Sequence, residues 1–484
     1  MSNVRSGLLF SMLGKYMLRV VNLLSTVLIA RLLTPTEIGT FAIASSFVMI
    51  LTEVKLLGAN SYLIRSDVLD EAKIRKAYGM TILMCWGISA ALMLGSGSLA
   101  TFFKHEDIQQ VFFILALSFL LAPYISVPDA LLARSYRFKE ISIIELSAAP
   151  TQFVVTLALI YQGFSFYSLA WGQFSGMVCR FLLSLYFTRD TKIYRPKFSG
   201  LGEIARLGIF TSAANIVRRI HYSASDLVIG RQGTPGEVGV FSRGMGFIDF
   251  ISQIVLDGVG GVAQPYMSEL KRRGVDIAAA YIKTTALLCS LVWPILAVAG
   301  FAALPAIRLL FGDQWDQSAP IASVLAVWML VKVVSFFSPQ LLIAVGQESM
   351  MFKRDLSCFA LLIVSLVFSY SYGLVAMGLA FLLNGVVEGL ITLWMLHHSV
   401  QLPVGSFIRS LFKPALVATV CLAGCAGLDQ LYPFAQGAPV AVFGLLAVSM
   451  PVVWLLTTKL LGLQIYTEVM KLIQAVLRRI KPAY

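Results

Sequence analysis

The stretch Arg31-Leu32-Leu33-Thr34-Pro35-Thr36-Glu37-Ile38-Gly39-Thr40-Phe41 returns 200 positions later as Arg231-Gln232-Gly233-Thr234-Pro235-Gly236-Glu237-Val238-Gly239-Val240-Phe241. Aligned without gaps, residues 30–58 and 230–258 agree at Arg31, Thr34, Pro35, Glu37, Gly39, Phe41, Phe47, Leu56 and Gly58. So many matches in one register mark an internal duplication. Both copies lie in long apolar runs. A membrane chain made of two like halves is the usual build of a carrier that rocks one half against the other. The repeat therefore narrows the fold to a duplicated helical architecture.

Composition sets the solvent of that architecture. Hydrophobic residues make up 58% of the 484-residue chain and charged residues 13%, with mean hydropathy +0.81. A soluble domain carries about a quarter of its residues charged, so the expected class is an all-α polytopic membrane protein. Apolar runs of about 20 residues, the length that crosses a bilayer, predict about fourteen helices. They fall near 8–30, 38–58, 78–103, 109–133, 141–161, 166–188, 207–229, 238–261, 281–303, 321–344, 356–372, 374–396, 413–428 and 438–458. Twelve is the alternative count, because the pair around Ser371-Tyr372-Gly373 and the short 413–428 run are the weakest.

The net charge of +13 does not point to nucleic acid, because its distribution is one-sided. One set of loops and both termini hold Arg5, Arg65, Lys73, Arg134, Arg137, Lys139, Arg189, Lys192, Lys271, Arg272, Lys353, Arg354, Lys413, Lys471, Arg478 and others. The other side has Arg31, Lys104, Arg231 and Arg308. That is 24 against 4, and the positive-inside rule then puts both termini in the cytoplasm. Attraction to anionic lipid is the second effect of the same charge. The first apolar segment is long, carries Lys15 and Arg19 and lacks a small-residue cleavage site, so no cleavable signal peptide is expected. Cys85, Cys179, Cys289, Cys358, Cys421 and Cys425 all sit in apolar runs without ligand-like neighbours, so neither a disulfide frame nor a metal centre is implied.

The predicted organisation is an N-lobe over 1–200, holding six helices, and a C-lobe over 201–400, holding six more. Two further helices lie in 401–460, and a basic amphipathic tail in 461–484. The charged, Pro- and Gly-containing segment from Arg189 to Arg206 reads as the linker. With six helices per lobe, the copies share one orientation and are related about the membrane normal. In the tail, Val469, Leu472, Ile473, Val476 and Ile480 form one stripe, with Lys471, Arg478, Arg479 and Lys481 mostly off it. Such a helix lies on the cytoplasmic leaflet.

The repeated Thr-Pro-x-Glu reads as helix capping: a capping Thr, Pro at the first helical position, and Glu where a capping box needs it. The chemistry is expected one helix earlier. Ser11, Lys15, Arg19, Asn22 and Thr26 share one face, and adding 200 gives Thr211, Asn215, Arg219, Tyr222 and Asp226, with Arg218 and His221 beside them. Ionised groups at membrane depth cost several kcal/mol unless they meet water, a partner or a ligand. Two matched polar stripes are therefore expected to line a hydrated cavity, although Lys15 reads equally well as snorkelling to the interface. Lys15, Arg19, Asn22, Asn215, Arg218, Arg219, Tyr222 and Arg243 are the substrate-binding candidates. Asp226, Asp249 and Glu388 are candidates for cation coupling, against a structural role in ion pairs or polar helix contacts. No Walker A loop is present, His397-His398 has no carboxylate or cysteine neighbours, and the loops are too short for a catalytic domain. No catalytic residue, cofactor or metal site is assigned.

Ala30-Arg31-Leu32-Leu33-Thr34-Pro35-x-Glu37-x-Gly39 after a cationic first helix, and Leu131-Leu132-Ala133-Arg134-x-Tyr136-Arg137-Phe138 after the fourth, resemble the bacterial polysaccharide transporter family. These are the Wzx-type flippases of the MATE-like MOP superfamily. The resemblance implies a MOP flippase fold in the bacterial inner membrane. It also implies transfer of undecaprenyl-diphosphate-linked oligosaccharide from the cytoplasmic to the periplasmic leaflet through a cationic cavity, with Na⁺ or H⁺ as the coupling ion. Membrane lipids and the polymerase and export components of a polysaccharide pathway are the implied partners. Arg19, Arg219, Lys15 and Arg218 match that picture by role. A guanidinium suits a diphosphate because its planar fork donates two hydrogen bonds at once. The alternatives are a drug or metabolite antiporter of the same fold, a lipid II flippase, and a membrane enzyme such as a glycan polymerase or acyltransferase.

Overall fold

Pro35 and Pro235 each open a helix, and the residues around them explain why the chain turns there. In both copies the Thr hydroxyl accepts from the Glu backbone N–H at 3.3 Å, while the Glu carboxylate accepts from the Thr backbone N–H at 2.8 Å. This is the reciprocal capping box expected from the sequence. The computed structural model describes residues 2–55, 59, 62–63, 69–189 and 195–480. Within these, the side chains of 2–13, 15, 55, 203, 206–215, 218, 261–262, 264, 348, 472–473 and 475–480 lie outside the description.

The helices are α1 (Ser2–Leu32), α2 (Pro35–Lys55), α3 (Glu71–Phe103), α4 (Ile108–Leu121), α5 (Pro123–Arg134), α6 (Phe138–Tyr161), α7 (Tyr167–Phe187), α8 (Gly202–Gln232) and α9 (Pro235–Arg272). They continue as α10 (Ile277–Phe301), α11 (Ala303–Phe311), α12 (Ser318–Val334), α13 (Ser338–Val345), α14 (Glu348–Ser369), α15 (Leu374–Val400), α16 (Val404–Leu431), α17 (Pro439–Leu460) and α18 (Gln464–Ile480). No strand occurs among the described residues, so the expected all-α class holds.

Among the described residues, nine helices are long and apolar enough to cross a membrane, and the bent α4–α5 pair makes ten. The bend of 45° falls just before Pro123, whose ring cannot continue the hydrogen-bond ladder. The other four of the fourteen predicted spans correspond to α1, α7, α8 and α14. All are long enough to cross, but α1 and α8 carry the polar stripes, and α7 and α14 carry Arg180 and the Lys353-Arg354-Asp355 run. Fourteen therefore remains an expectation above the ten that apolarity supports. The weak 413–428 run extends over all 28 residues of α16. The break near Ser371 is real: a short 3-10 turn meets Gly373 at φ +93°, a conformation that favours glycine, and α15 starts afresh.

Two compact units emerge from packing, Met1–Ser242 and Arg243–Tyr484. The lobes drawn from the repeat describe a duplication, whereas these units describe contacts. In the first unit α6 packs on α7 and α1, and α8 packs on α2 and α3. The linker strand is tied back to α3, with Lys197 N–H donating to the Arg75 carbonyl at 2.9 Å and Arg75 Nε donating to the Arg195 carbonyl at 3.0 Å. The two copies of the repeated motif also meet inside the first unit. A Cβ on Gly39 would overlap the Pro235 carbonyl, and one on Gly239 the Pro35 carbonyl. Gly39 and Gly239 recur because α2 and α9 cross back to back there, a close approach that only small residues allow.

In the second unit α10 packs on α16 and α12, and α12 on α15. Arg308 of α11 donates to Asp316 at 2.9 and 2.7 Å and to the Ala435 carbonyl at 2.8 Å. The bond to Asp316 holds its guanidinium above the ordinary value. Arg354, counted above with a cytoplasmic loop, lies inside α14 at 6% exposure. It bonds Asp355 at 2.8 Å and the Thr392 hydroxyl at 2.9 Å, because a charge on a helix flank can be buried when partners on its own and the neighbouring helix satisfy it.

Candidate functional site

Three contacts run in antiparallel order along the face where α8 lies on α2. A Cβ on Gly230 would sit 2.9 Å from Ile43, so the helices touch closely at this end. One turn along, the Asp226 carboxylate accepts from the Ser46 hydroxyl at 2.6 Å. Two turns further, Arg219 donates to Oε1 of Glu53 through Nη2 at 3.1 Å and Nε at 3.3 Å. Arg219 and Asp226 are seven residues apart on α8, as Ser46 and Glu53 are on α2, so each pair shares one helical face. Asp226 also reaches α9, accepting from the Ser242 hydroxyl at 2.6 Å. Its two oxygens are thus held by hydroxyls from two other helices.

This seam holds two of the predicted site residues, Arg219 and Asp226. Arg219 is 38% exposed and Glu53 15%, so the guanidinium is reachable while its carboxylate partner is sheltered. Glu53 is the counter-ion. Asn22 and Tyr222 are exposed, Tyr222 edge-on to His221 at 6.3 Å, and Arg19 is half-buried on α1. The side chains of Lys15, Asn215 and Arg218 lie outside the described residues.

The remaining candidates fall in the second unit. Glu388 of α15 accepts from Lys332 of α12 at 2.7 Å, an ion pair between helices. Asp249 is half-buried, and among the described residues no hydrogen bond or ion pair engages its carboxylate. Arg243 lies 4.8 Å from the ring centres of both Phe311 and Trp315, and its buried Nε has no hydrogen-bond partner among the described residues. The aligned residue of the first repeat is the buried Ile43. Ser46, Ser242, Phe311 and Trp315 were not among the residues singled out by sequence. The one clue available was the presence of a lone intramembrane charge, which obliges some polar or aromatic neighbour to exist.

Chemically, a carboxylate with two hydroxyls, as at Asp226, is an oxygen-only cluster of the kind that suits a proton or a hard monovalent cation. An arginine bonded to one carboxylate oxygen through Nε and Nη2 keeps further N–H donors for a second acceptor. Among the described residues no group of three or more His, Cys, Asp or Glu side chains could hold a metal ion.

Comparison with known proteins identifies relatives of the chain. Residues 28–320 match the family described as "Polysaccharide biosynthesis protein". The chain is 21% identical over 419 residues to the teichuronic acid biosynthesis protein TuaB of Bacillus subtilis, covering 86% of each. It is 21% identical over 422 residues to the lipopolysaccharide biosynthesis protein WzxC of Escherichia coli, covering 84% of each. The succinoglycan biosynthesis transport protein ExoT of Rhizobium meliloti is 25% identical over 334 residues, 67% of this chain and 66% of that one. Among solved structures, the lipid II flippase MurJ in an inward closed conformation superposes with a TM-score of 0.77 at 14% identity, covering 96% of this chain and 100% of that one. An inward-facing multidrug resistance MATE transporter of the MOP superfamily gives 0.63 at 13% identity, over 81% and 96%. These likenesses fix the fold as that of the MOP flippases.

Proposed function

This chain belongs to the polysaccharide biosynthesis protein family, and from that premise we propose that it is an inner-membrane flippase for lipid-linked oligosaccharide. Its cargo is an undecaprenyl-diphosphate-linked repeat unit, moved from the cytoplasmic to the periplasmic leaflet for exopolysaccharide, capsule or O-antigen synthesis. The protein is a multi-pass membrane protein, and both termini are assigned to the cytoplasm on the loop charge. Its activity is transport, with no catalytic residue. The observation that carries the reading is the family match over more than half the chain, joined to a reachable arginine on the duplicated polar helix.

In this reading Glu53 holds Arg219 in place, and the diphosphate bonds the guanidinium N–H groups that Glu53 does not take. Arg19, Asn22 and Tyr222, on the same polar stripes, are the further head-group candidates of the first unit. Asp226, with Ser46 and Ser242, is the strongest seat for a coupling Na⁺ or H⁺, ahead of Asp249, while the Lys332 partner makes Glu388 the most structural of the three. Polymerase and export components of the same pathway are the protein partners.

The test uses cells lacking the protein, with lipid-linked oligosaccharide measured on each face of the inner membrane. Build-up on the cytoplasmic face, reversed by the intact protein but not by Arg219→Ala at equal abundance, is the expected result. No build-up, with altered drug susceptibility instead, would replace the flippase with an antiporter.

A further inference from the structure

On the flank of the first unit, α6 and α7 enclose a groove of about 720 Å³. Its origin lies in the packing on the opposite faces. A Cβ on Gly172 would overlap the Thr156 hydroxyl, and one on Gly176 would lie 3.1 Å from Gln152. The Gly172-x3-Gly176 pair thus draws α7 onto α6 along one line. On the next face, Val155 and Leu159 of α6 and Trp171, Val178 and Leu182 of α7 line an almost wholly apolar trough, in which Thr151 Oγ1 donates to Cys179 Sγ at 3.6 Å.

The α7 side of the trough is one stripe, Trp171, Ser175, Val178 and Leu182, at spacings of three and four, which Tyr186 continues to the helix end, with Arg189 two residues past it. It ends in charge. The Arg189 guanidinium sits over the Tyr186 ring at 5.1 Å, and Arg137 donates to the Phe187 carbonyl at 3.3 Å. The Arg189 guanidinium therefore stands beyond the end of the apolar trough, on the side that the loop charge assigns to the cytoplasm, with Arg137, itself paired to Glu140 at 3.0 Å, the next cation.

We propose that this groove seats the polyisoprenoid tail of the lipid-linked substrate, with its phosphate end at Arg189 and Arg137 before the head group enters the site. The proposal rests on the flippase reading above. Depth selects the occupant. At 1.5 Å per residue, Leu182 lies about 10 Å and Trp171 about 27 Å along α7 from Arg189, against about 30 Å of hydrocarbon. The trough thus runs well past the midplane, where the chains of a cytoplasmic-leaflet phospholipid end. A single long isoprenoid anchored at the cytoplasmic face fills its whole length.

Cys179 provides an intrinsic reporter, because it lines the groove and is half-buried, whereas the other five cysteines are buried. The purified full chain is placed in phosphatidylcholine vesicles, and the rate at which a lipophilic maleimide labels Cys179 is measured. Undecaprenyl phosphate at about ten times its dissociation constant is expected to slow labelling about tenfold. Phosphatidylglycerol at the same mole fraction is expected to leave the rate unchanged. Arg189→Gln should weaken the protection, and Val178→Trp, which fills the trough, should abolish it while the protein still folds by thermal unfolding. Equal protection by phosphatidylglycerol, or none by undecaprenyl phosphate, overturns the proposal. If either occurs while Arg219→Ala still abolishes oligosaccharide transfer, the groove assignment fails and the flippase reading stands.

Discussion

At the scale of single residues, Arg219 shows how far a charge can be read before its neighbours are known. The 200-residue repeat marked it as the counterpart of Arg19, and membrane energetics required a partner or a ligand. Its partner, Glu53, is 166 positions away, and nothing local in the sequence joins them. The pair makes a sharp prediction. Arg219→Gln alone leaves Glu53 uncompensated, whereas Arg219→Gln with Glu53→Gln removes both charges, and the double variant should recover folded yield. If Arg219 holds the diphosphate, transfer of oligosaccharide stays lost in the double variant. Recovered transfer would reduce the arginine to a structural ion pair. Asp226 follows the same logic, since its stripe position was legible and its two serine donors, 180 and 16 residues away, were not.

At the scale of elements, the repeated motif has two roles of different visibility. Capping by Thr34–Glu37 and Thr234–Glu237 follows from local chemistry and was predictable. The glycines at 39 and 239 serve a crossing of α2 with α9, which only the packed helices reveal. Gly39→Ala and Gly239→Ala must push the helices apart, so each should destabilise the protein by about 1–3 kcal/mol, read as a lowered midpoint of thermal unfolding in detergent. Gly230→Ala would press on the Ile43 side chain, 2.9 Å from the added Cβ, a milder clash than those with backbone at Gly39 and Gly239. The Lys332–Glu388 pair joins α12 to α15. Lys332→Ala should cost about 3 kcal/mol by removing the cation that pairs with a sheltered carboxylate, while Lys332→Met with Glu388→Leu should restore most of that loss. Transport that survives in the double variant would remove Glu388 from the coupling candidates, and transport lost at normal stability would keep it among them.

At the scale of the whole molecule, the count of spans is the open quantity that a reporter can decide. With fourteen spans and cytoplasmic termini, alkaline phosphatase fused after Gln401 should be inactive and after Tyr432 active, since α16 would cross between them. Equal activity at both sites would mean that α16 does not span. The sequence by itself determined the membrane class, the duplication, the sidedness of the charge and the helix caps. Each depends on composition or on residues within a turn or two of one another, where periodicity and capping chemistry act directly. Only the tertiary structure decided which charges are paired, why the repeated glycines are small, and where α6 and α7 leave a trough. Those outcomes depend on contacts between helices far apart in the chain, and an isolated helix presents the same stripe whichever neighbour covers it.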